Sequence, residues 1–258
     1  MEDKMKNSEL SSVKNALRIL RSFTMENNQK GVLEISRELG ISKSSVHRIL
    51  QTLATEGFVK KARSSSKYEL GLSVVELNSI YLHHLDIYEE SHNSLIELTK
   101  KTGETSHLAV LENENIVYLN KVEFSPSHGI KSHIGHHNYI HCTGTGKVLL
   151  AYSEPDVLNR ILQKPLERVT DKTITDPQVL LKELEKVKSL GYGIARGESR
   201  DQITSIAVPI KNYKGNVIAA INLVGQSGRF NDEKIKYYLN LLLDEAATIS
   251  RRIGYLNF

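Results

Sequence analysis

The chain has 258 residues, 40% of them hydrophobic and 25% charged, the composition of a globular protein with one large core or two small ones, not of a disordered or fibrous chain. Its formal charge of +4 is unevenly spread: residues 1–70 hold 13 Lys and Arg against 8 Asp and Glu, while the rest hold 21 against 22, so the basic excess sits in the N-terminal quarter, as in a phosphate-binding module joined to a neutral domain. A single cysteine, Cys142, excludes an internal disulfide framework; no apolar run reaches the length of a membrane span, and the start MEDKMKNSEL lacks the apolar stretch of a signal peptide, so the expectation is a cytoplasmic protein.

Residues 1–11 are polar and read as a frayed end. From Ser12, read as an N-cap, Val13, Ala16, Leu17, Leu20 and Phe23 recur at the spacing of an amphipathic helix. After a polar loop ending at Gly31, a short helix carries Val32, Ile35 and Leu39 on one face, with Gly40 where a left-handed residue is favoured. Ser42 caps a third helix, whose Val46, Ile49, Leu50 and Leu53 form the inward stripe and which Gly57 ends. Phe58–Lys61 and Lys67–Leu70 read as strands of a β-hairpin around the basic, hydroxyl-rich tip Ala62–Ser66. Three helices and a hairpin in this order describe a winged helix-turn-helix.

Leu72 to about Lys101 reads as helix, broken near Tyr81, His83, His84 and Tyr88, and serves as candidate linker and dimerisation element. From Thr105 the period changes to two. His107–Leu111 and Ile116–Asn120 flank a turn, 112–115, whose asparagines tolerate positive φ. Later strands are Thr204–Ile210 and Val217–Val224, and helices fit Thr145–Tyr152, Glu154–Leu162, Pro177–Leu190 and Asn231–Ile253, the last charged to suit the macrodipole at both ends. Strands and helices do not alternate strictly, which favours an antiparallel α+β sheet. The expected organisation is a winged helix-turn-helix over 1–71, a helical linker over 72–101 and an effector domain over 102–258.

A recognition helix packs one face on its own domain and offers the other to base edges and phosphates. Beside the inward stripe of the third helix stand Ser42, Lys43, Ser44, Ser45, His47, Arg48, Gln51 and Thr52, all able to donate hydrogen bonds and none acidic. Arg48 and Gln51 have the geometry for guanine and adenine edges. Lys60, Lys61, Arg63 and Lys67 would lay the wing along phosphates or in the minor groove. The alternative reading is a solvated helix face beside a basic hairpin; surface faces usually mix both signs, so the absence of acid weighs toward double-stranded DNA.

With these residues in view, the chain resembles the IclR family of bacterial transcription regulators over essentially its whole length. The runs Val13–Leu20, Glu34–Ile41 and Ser44–Leu50 resemble the family's helix-turn-helix. His141-Cys-Thr-Gly-Thr-Gly-Lys-Val-Leu-Leu-Ala151 resembles its His-Cys-Thr-Ala-x-Gly-Lys signature, and Gly191–Ala195, Ile206–Ile210 and Gly215–Ile221 match further blocks in order. The resemblance implies a GAF-like effector domain, a homodimer or dimer of dimers formed through the winged-helix and linker region on a palindromic operator, and a regulator, read here as a repressor, controlled by a small organic effector. Members that bind small carboxylates or ureides tend to carry Asp before the Ile-Ala-x-Pro block, Cys just ahead of it and two Ser in the later strand. This chain has Ala195 or Arg196, then Ser205, then Asn222 and Val224 there, while Glu198 survives from the acidic cluster.

Thr143-Gly-Thr-Gly-Lys147 fails as a P-loop, since His141 stands where the first Gly belongs and Val148 where Ser or Thr does. Two glycines opening a helix can still cradle an anion, against the plainer reading of glycines required by the backbone. The effector candidates are therefore Thr143, Gly144, Thr145, Gly146, Arg196, Glu198, Ser205 and Asn222. His128, His133, His136, His137 and His141 beside Cys142 invite a metal, but the spacing matches no known site and alternation would scatter them; neither metal nor cofactor is expected. Cys142 beside His141 raises a hydrolase-like enzyme as an alternative, without a second base to support it. A ligand-independent DNA binder is the other alternative, and the large C-terminal domain speaks against it.

Overall fold

The computed structural model describes residues 10–63, 65–83, 85–124, 132, 134–135 and 137–255, apart from the side chains of residues 82, 83 and 137. It divides into two compact units, Met1–His84 and Leu85–Phe258. Of the sequence expectations, the frayed end up to residue 9, Ser64 of the hairpin tip, His84 of the linker break, and His128, His133 and His136 lie outside the described residues.

The N-terminal unit contains helices α1 (Ser11–Ser22), α2 (Val32–Leu39) and α3 (Lys43–Thr55), strands β1 (Val59–Lys61) and β2 (Tyr68–Leu70), and helix α4 (Ser73–His83). Ile19, Ile35, Val46, Leu50, Val59 and Tyr68 form its core, each locked by burial worth roughly 1.5–3 kcal/mol per large aliphatic side chain. The expected α1 stripe is half right. Ile19 is fully buried with Ala16, Leu20 and Phe23 packed beside it, but Val13 and Leu17 are more than half exposed. The apolar arc of α1 is wider than the face α3 can cover. Ser12 lies inside the helix, and Leu10 at the N-cap makes no side-chain bond.

The turn between α2 and α3 is built from local chemistry. Gly40 adopts φ +68° and donates its N–H to Ser36 O, closing α2; a Cβ would be strained there. Ser36 Oγ donates to Ile41 O at 2.6 Å, and Ser42 Oγ then accepts the Ser45 N–H to start α3. Strands β1 and β2 pair antiparallel, and Lys30 adds a backbone bridge to Tyr68. Lys30, read from sequence as loop, is buried with its ammonium on Glu38 at 2.6 Å.

The C-terminal unit starts with α5 (Asp86–Thr102), followed by β3 (Thr105–Glu112), β4 (Asn115–Val122), β5 (His137–Asn138), α6 (Gly144–Ala151), α7 (Pro155–Leu162), α8 (Pro177–Leu190), β6 (Gly193–Arg196), β7 (Ile203–Lys211), β8 (Val217–Gln226) and α9 (Asp232–Arg252). The strands form one antiparallel sheet in the order β5-β4-β3-β8-β7-β6. The β3–β4 turn uses Asn113 at φ +57°, as its composition predicts.

Alternation along the strands builds two cores. Leu108, Ile206, Val208, Ile221 and Leu223 meet Leu95 and Leu98 of α5 and Leu242 and Ile249 of α9. The opposite face carries Ala109, Ala207 and Ala220 under Val148, Leu150, Leu180 and Leu184 of α6 and α8. Alanines there let α6 settle so close that a Cβ on Gly144 would come within 2.8 Å of Ser205 O and 3.1 Å of Gly193 O.

Candidate DNA-reading face and effector cleft

Every side chain expected to read DNA is exposed: Ser42, Lys43, Ser44, Ser45, His47, Arg48, Gln51 and Thr52 on α3, and Lys60, Lys61, Arg63 and Lys67 on the hairpin. The structure thus gathers the twelve on two neighbouring elements, while Val46, Leu50 and Leu53 turn inward. Lys43, His47, Arg48 and Gln51 make no side-chain hydrogen bond or ion pair with another described residue, so their donors are available to an external partner. The wing lysines are differently placed. Lys60 lies 3.3 Å from Glu69 and Lys67 3.7 Å from Glu34, while Lys61 stands 6.0 Å from the centre of the Tyr68 ring. Gln29 donates to Glu69 and Asn27 to Glu34; those amide bonds, more than the lysines, hold both carboxyls below their ordinary range. Sequence reasoning missed Ser11, Ser12 and Asn15 of α1, which line a groove beside Ser45, Arg48 and Thr52.

The effector candidates divide. A cleft of about 390 Å³ opens on the α6 side of the sheet, with Thr143, Ser205 and Asn222 in its wall beside His107, Tyr118 and Arg200. Asn222 is its structural hinge. Its Nδ2 donates to Thr145 Oγ1 at 2.7 Å, and its Oδ1 faces His107 Nδ1, its cross-strand neighbour, at 2.9 Å. His107 Nδ1 therefore donates to Asn222 Oδ1, and its Nε2 lies 2.7 Å from the Ser132 hydroxyl.

Gly144, Thr145 and Gly146 sit behind this wall, fully buried. Gly144 donates to Ser205 Oγ and Gly146 to Thr143 Oγ1, each at 3.0 Å. The helix start is thus capped by the protein's own hydroxyls, and the glycines answer to close packing. Arg196 is placed away from the cleft. Strand alternation sends it to the α9 side, half exposed, 3.4 Å from Phe230 O and 3.5 Å from Asp232. The guanidinium at the cleft belongs to Arg200, four residues on, in a loop that period-two reading could not place. His107 was legible in principle, being in phase with Ala109 on the same strand. Glu198 is buried on Lys147 at 2.6 Å; burial pushes its carboxyl above the ordinary range while Lys147 pulls it down.

Cys142 is fully buried, and burial, reinforced by the charge of Glu198, pushes its thiol up to about 12. His141 Nε2 donates to the Glu167 carbonyl at 2.9 Å, and among the described residues no hydrogen bond joins its imidazole to the Cys142 thiol. This is a protonated, inert cysteine. An unfolded thiol titrates near 8.5, so the folded state holds the proton that the unfolded state releases. Stability from Cys142 is complete below about pH 8.5 and drains as pH rises toward 12, by about 1.4 kcal/mol per unit. Urea midpoints measured from pH 8 to 10 should fall less steeply in Cys142→Ala than in the parent; equal slopes would refute the assignment.

Among the described residues no cluster of His, Cys, Asp and Glu could hold a metal, and no helix is long and apolar enough to cross a membrane. His128, His133 and His136, and the side chain of His137, are outside the described set.

Two family descriptions match the chain: the IclR helix-turn-helix domain over residues 12–63 and the bacterial transcriptional regulator IclR C-terminal domain over 79–251. The HTH-type transcriptional regulator KdgR of Escherichia coli (strain K12) is 35% identical over 250 residues, covering 96% of this chain and 95% of that protein. XynR of the same strain, also an HTH-type transcriptional regulator, is 30% identical over 95% of this chain and 98% of its own length. Among solved structures, the Thermotoga maritima IclR is 31% identical with a TM-score of 0.79, covering 96% of this chain and all of that one. An IclR homolog from Microbacterium hydrocarbonoxydans, solved in complex with 4-hydroxybenzoate, is 25% identical with a TM-score of 0.85, covering 94% and 98%.

Proposed function

The chain belongs to the IclR family of bacterial transcriptional regulators, and from that membership we propose that it represses its target genes by seating α3 in the major groove of a palindromic operator until a small polar metabolite occupies the 390 Å³ cleft. The observation that carries this reading is the acid-free face of α3, where Lys43, His47, Arg48 and Gln51 stand exposed and unengaged by other described residues. Thr143, Ser205 and Asn222 are the ligand contacts retained from the sequence, with His107, Tyr118 and Arg200 added from the cleft wall.

Strand β3 offers a route from ligand to DNA. His107 faces the cleft, while its neighbours Ser106 and Leu108 face α5: Ser106 Oγ bonds Thr99 Oγ1 at 2.8 Å, and Leu108 packs on Leu95 and Leu98. A ligand that shifts His107 acts on α5, and through residues 72–101 on the spacing of two winged units in a dimer. Exposed Val13 and Leu17 of α1 and Val75 and Ile80 of α4 support self-association through this unit, which resides in the cytoplasm. Cys142 supports no catalytic role, and an architectural DNA binder would leave the polar cleft without a use.

Titrating the full-length protein onto upstream duplex by fluorescence anisotropy tests the reading. Arg48→Ala is expected to weaken specific binding by about 1–3 kcal/mol, and Lys61→Ala to lower affinity across all sequences and reduce the salt slope by about one. A ligand found by thermal shift must bind free and DNA-bound protein unequally, because coupling is reciprocal. Unchanged binding by both variants would reject the DNA face, and equal ligand affinities would reject the control mechanism.

A further inference from the structure

Lys147 is the largest wholly buried charged side chain among the described residues, 1% exposed. Its ammonium lies 2.6 Å from Glu198 Oε1, 3.1 Å from Ile194 O and 3.3 Å from Glu183 Oε1. Three elements converge on it: α6, which carries it; α8, which carries Glu183; and the loop after β6, which carries Glu198. Burying an ion pair this deeply costs several kcal/mol in desolvation, so it is weak evidence of stability for its own sake.

The surroundings of Glu198 show what the pair organises. Its carbonyl accepts from Thr173 Oγ1 at 2.6 Å, and Thr173 Oγ1 in turn accepts the N–H groups of Val169 and Thr170 at 3.1 and 2.9 Å. Thr170 Oγ1 donates to Gly197 O at 2.7 Å. Gly197 turns at φ +70°, where a Cβ would come within 2.7 Å of Asp201 O, and its N–H bonds Ile203 O across the loop. Val169 on one segment and Ser199 and Arg200 on the other all line the cleft. Both cleft-lining segments are thus fastened around one residue, whose carboxylate makes its short contact through Oε1 to Lys147, while among the described residues Oε2 is buried with no side-chain partner.

We propose that Lys147 and Glu198 form a buried latch that holds the cleft segments 169–173 and 197–203 in register, which makes Glu198 a positioning residue for the ligand although it does not line the cleft. This rests on the cleft being the effector site. The latch explains why a desolvated pair is kept there. It fixes the guanidinium of Arg200 and the wall at Val169 relative to α6, whose start supplies Thr143 and the Thr145–Asn222 bond.

Hydrogen–deuterium exchange on the full chain, with no ligand added, tests the latch. In Lys147→Met, exchange across 169–173 and 197–203 should accelerate at least about a hundredfold, and in Glu198→Gln, which keeps one weaker bond, about tenfold, with β3 and β4 unchanged. Glu183→Gln, which leaves the short Lys147–Glu198 contact in place, should move either segment by less than about threefold. The charge-free double variant Lys147→Met/Glu198→Gln should recover urea stability relative to Lys147→Met yet still exchange fast in both segments, a split that a purely structural pair would not give. The chain has no tryptophan, so Val169→Trp supplies a single reporter at the cleft wall, whose emission should shift to longer wavelength when Glu198→Gln is added. Parent-like exchange and emission in Glu198→Gln would overturn the latch, as would equal acceleration throughout the sheet or slow segments in the double variant. Should Lys147→Met fail to fold, Glu198→Gln alone decides. A metabolite panel without a hit would reject the effector reading and leave these exchange results standing, so the two failures are separable.

Discussion

Replacing Gly146 with alanine should destabilise the C-terminal unit by about 3 kcal/mol, the upper end of what overpacking a core costs. The added Cβ would fall inside contact distance of the Ile140 carbonyl, its carbon and its Cα, which are backbone atoms and cannot rotate away. Ile140 is itself buried, and the turn that holds it is fastened by Thr143 Oγ1, which donates to Tyr139 O. Moving α6 outward is no escape, because all eight of its residues are buried and Gly144 is bonded to Ser205. Gly228→Ala is the matched control: nothing lies within 4 Å of its Cβ, and the change should stay within about 0.5 kcal/mol. Urea unfolding followed by circular dichroism reads both, and a Gly146→Ala midpoint equal to that of the control would show that α6 has room the packing denies.

That glycine shows where sequence reading stops. The pattern Gly-x-Gly at a helix start fits an anion cradle and a close-packed helix equally well, because both need a missing Cβ. What separates them is the distance to Ile140, Ser205 and Gly193, contributed by residues up to about 60 positions away. Arg196 and Arg200 pose the same difficulty. Strand alternation fixes the face of Arg196 once the phase of β6 is known, but four residues of strand give little phase, and Arg200 lies in a loop with none.

The N-terminal unit was legible nearly to the residue, because its signals are local. Ser42 bonds an N–H three residues on, Gly40 takes a left-handed turn that its own type permits, and the stripe Val46, Leu50, Leu53 follows helical period. The acid-free face could be read for the same reason, since what remains after subtracting a stripe is the outer surface. The hairpins and long helices of the C-terminal unit were legible on similar grounds. Helix α1 was the exception in the first unit: periodicity shows that a face is apolar but not how much of it the neighbouring helices cover, so Val13 and Leu17 came out exposed. Lys147 and Lys30, by contrast, gave no signal of burial, since a lysine is ordinarily a surface residue and their acidic partners are not sequence neighbours at helical spacing.

Arg229→Met should cost the C-terminal unit about 3–5 kcal/mol, the range for leaving one member of a buried ion pair uncompensated. Glu104, at the turn from α5 into β3, is 1% exposed and accepts both arms of the Arg229 fork, from Nε at 2.7 Å and from Nη2 at 2.5 Å. The carboxylate lies flat on Gly225 of β8, where a Cβ would collide with Oε2, so it cannot turn toward solvent when its partner is removed. Arg229 is in a different position. Its side chain is 34% exposed, and without Glu104 the guanidinium can be hydrated. Glu104→Gln, which keeps the size and one acceptor while removing the negative charge, should therefore cost only about 1–2 kcal/mol, close to the loss of one charge-assisted hydrogen bond. The pair ties the α5–β3 turn to the link between β8 and α9, the two helices that cover the sheet face opposite the cleft. Urea midpoints for the two single variants and the double variant would complete a cycle in which Arg229→Met/Glu104→Gln is more stable than Arg229→Met alone. If Glu104→Gln proved the more damaging single change, Glu104 would not be the desolvated member of the pair and the asymmetry argued from its burial would fail.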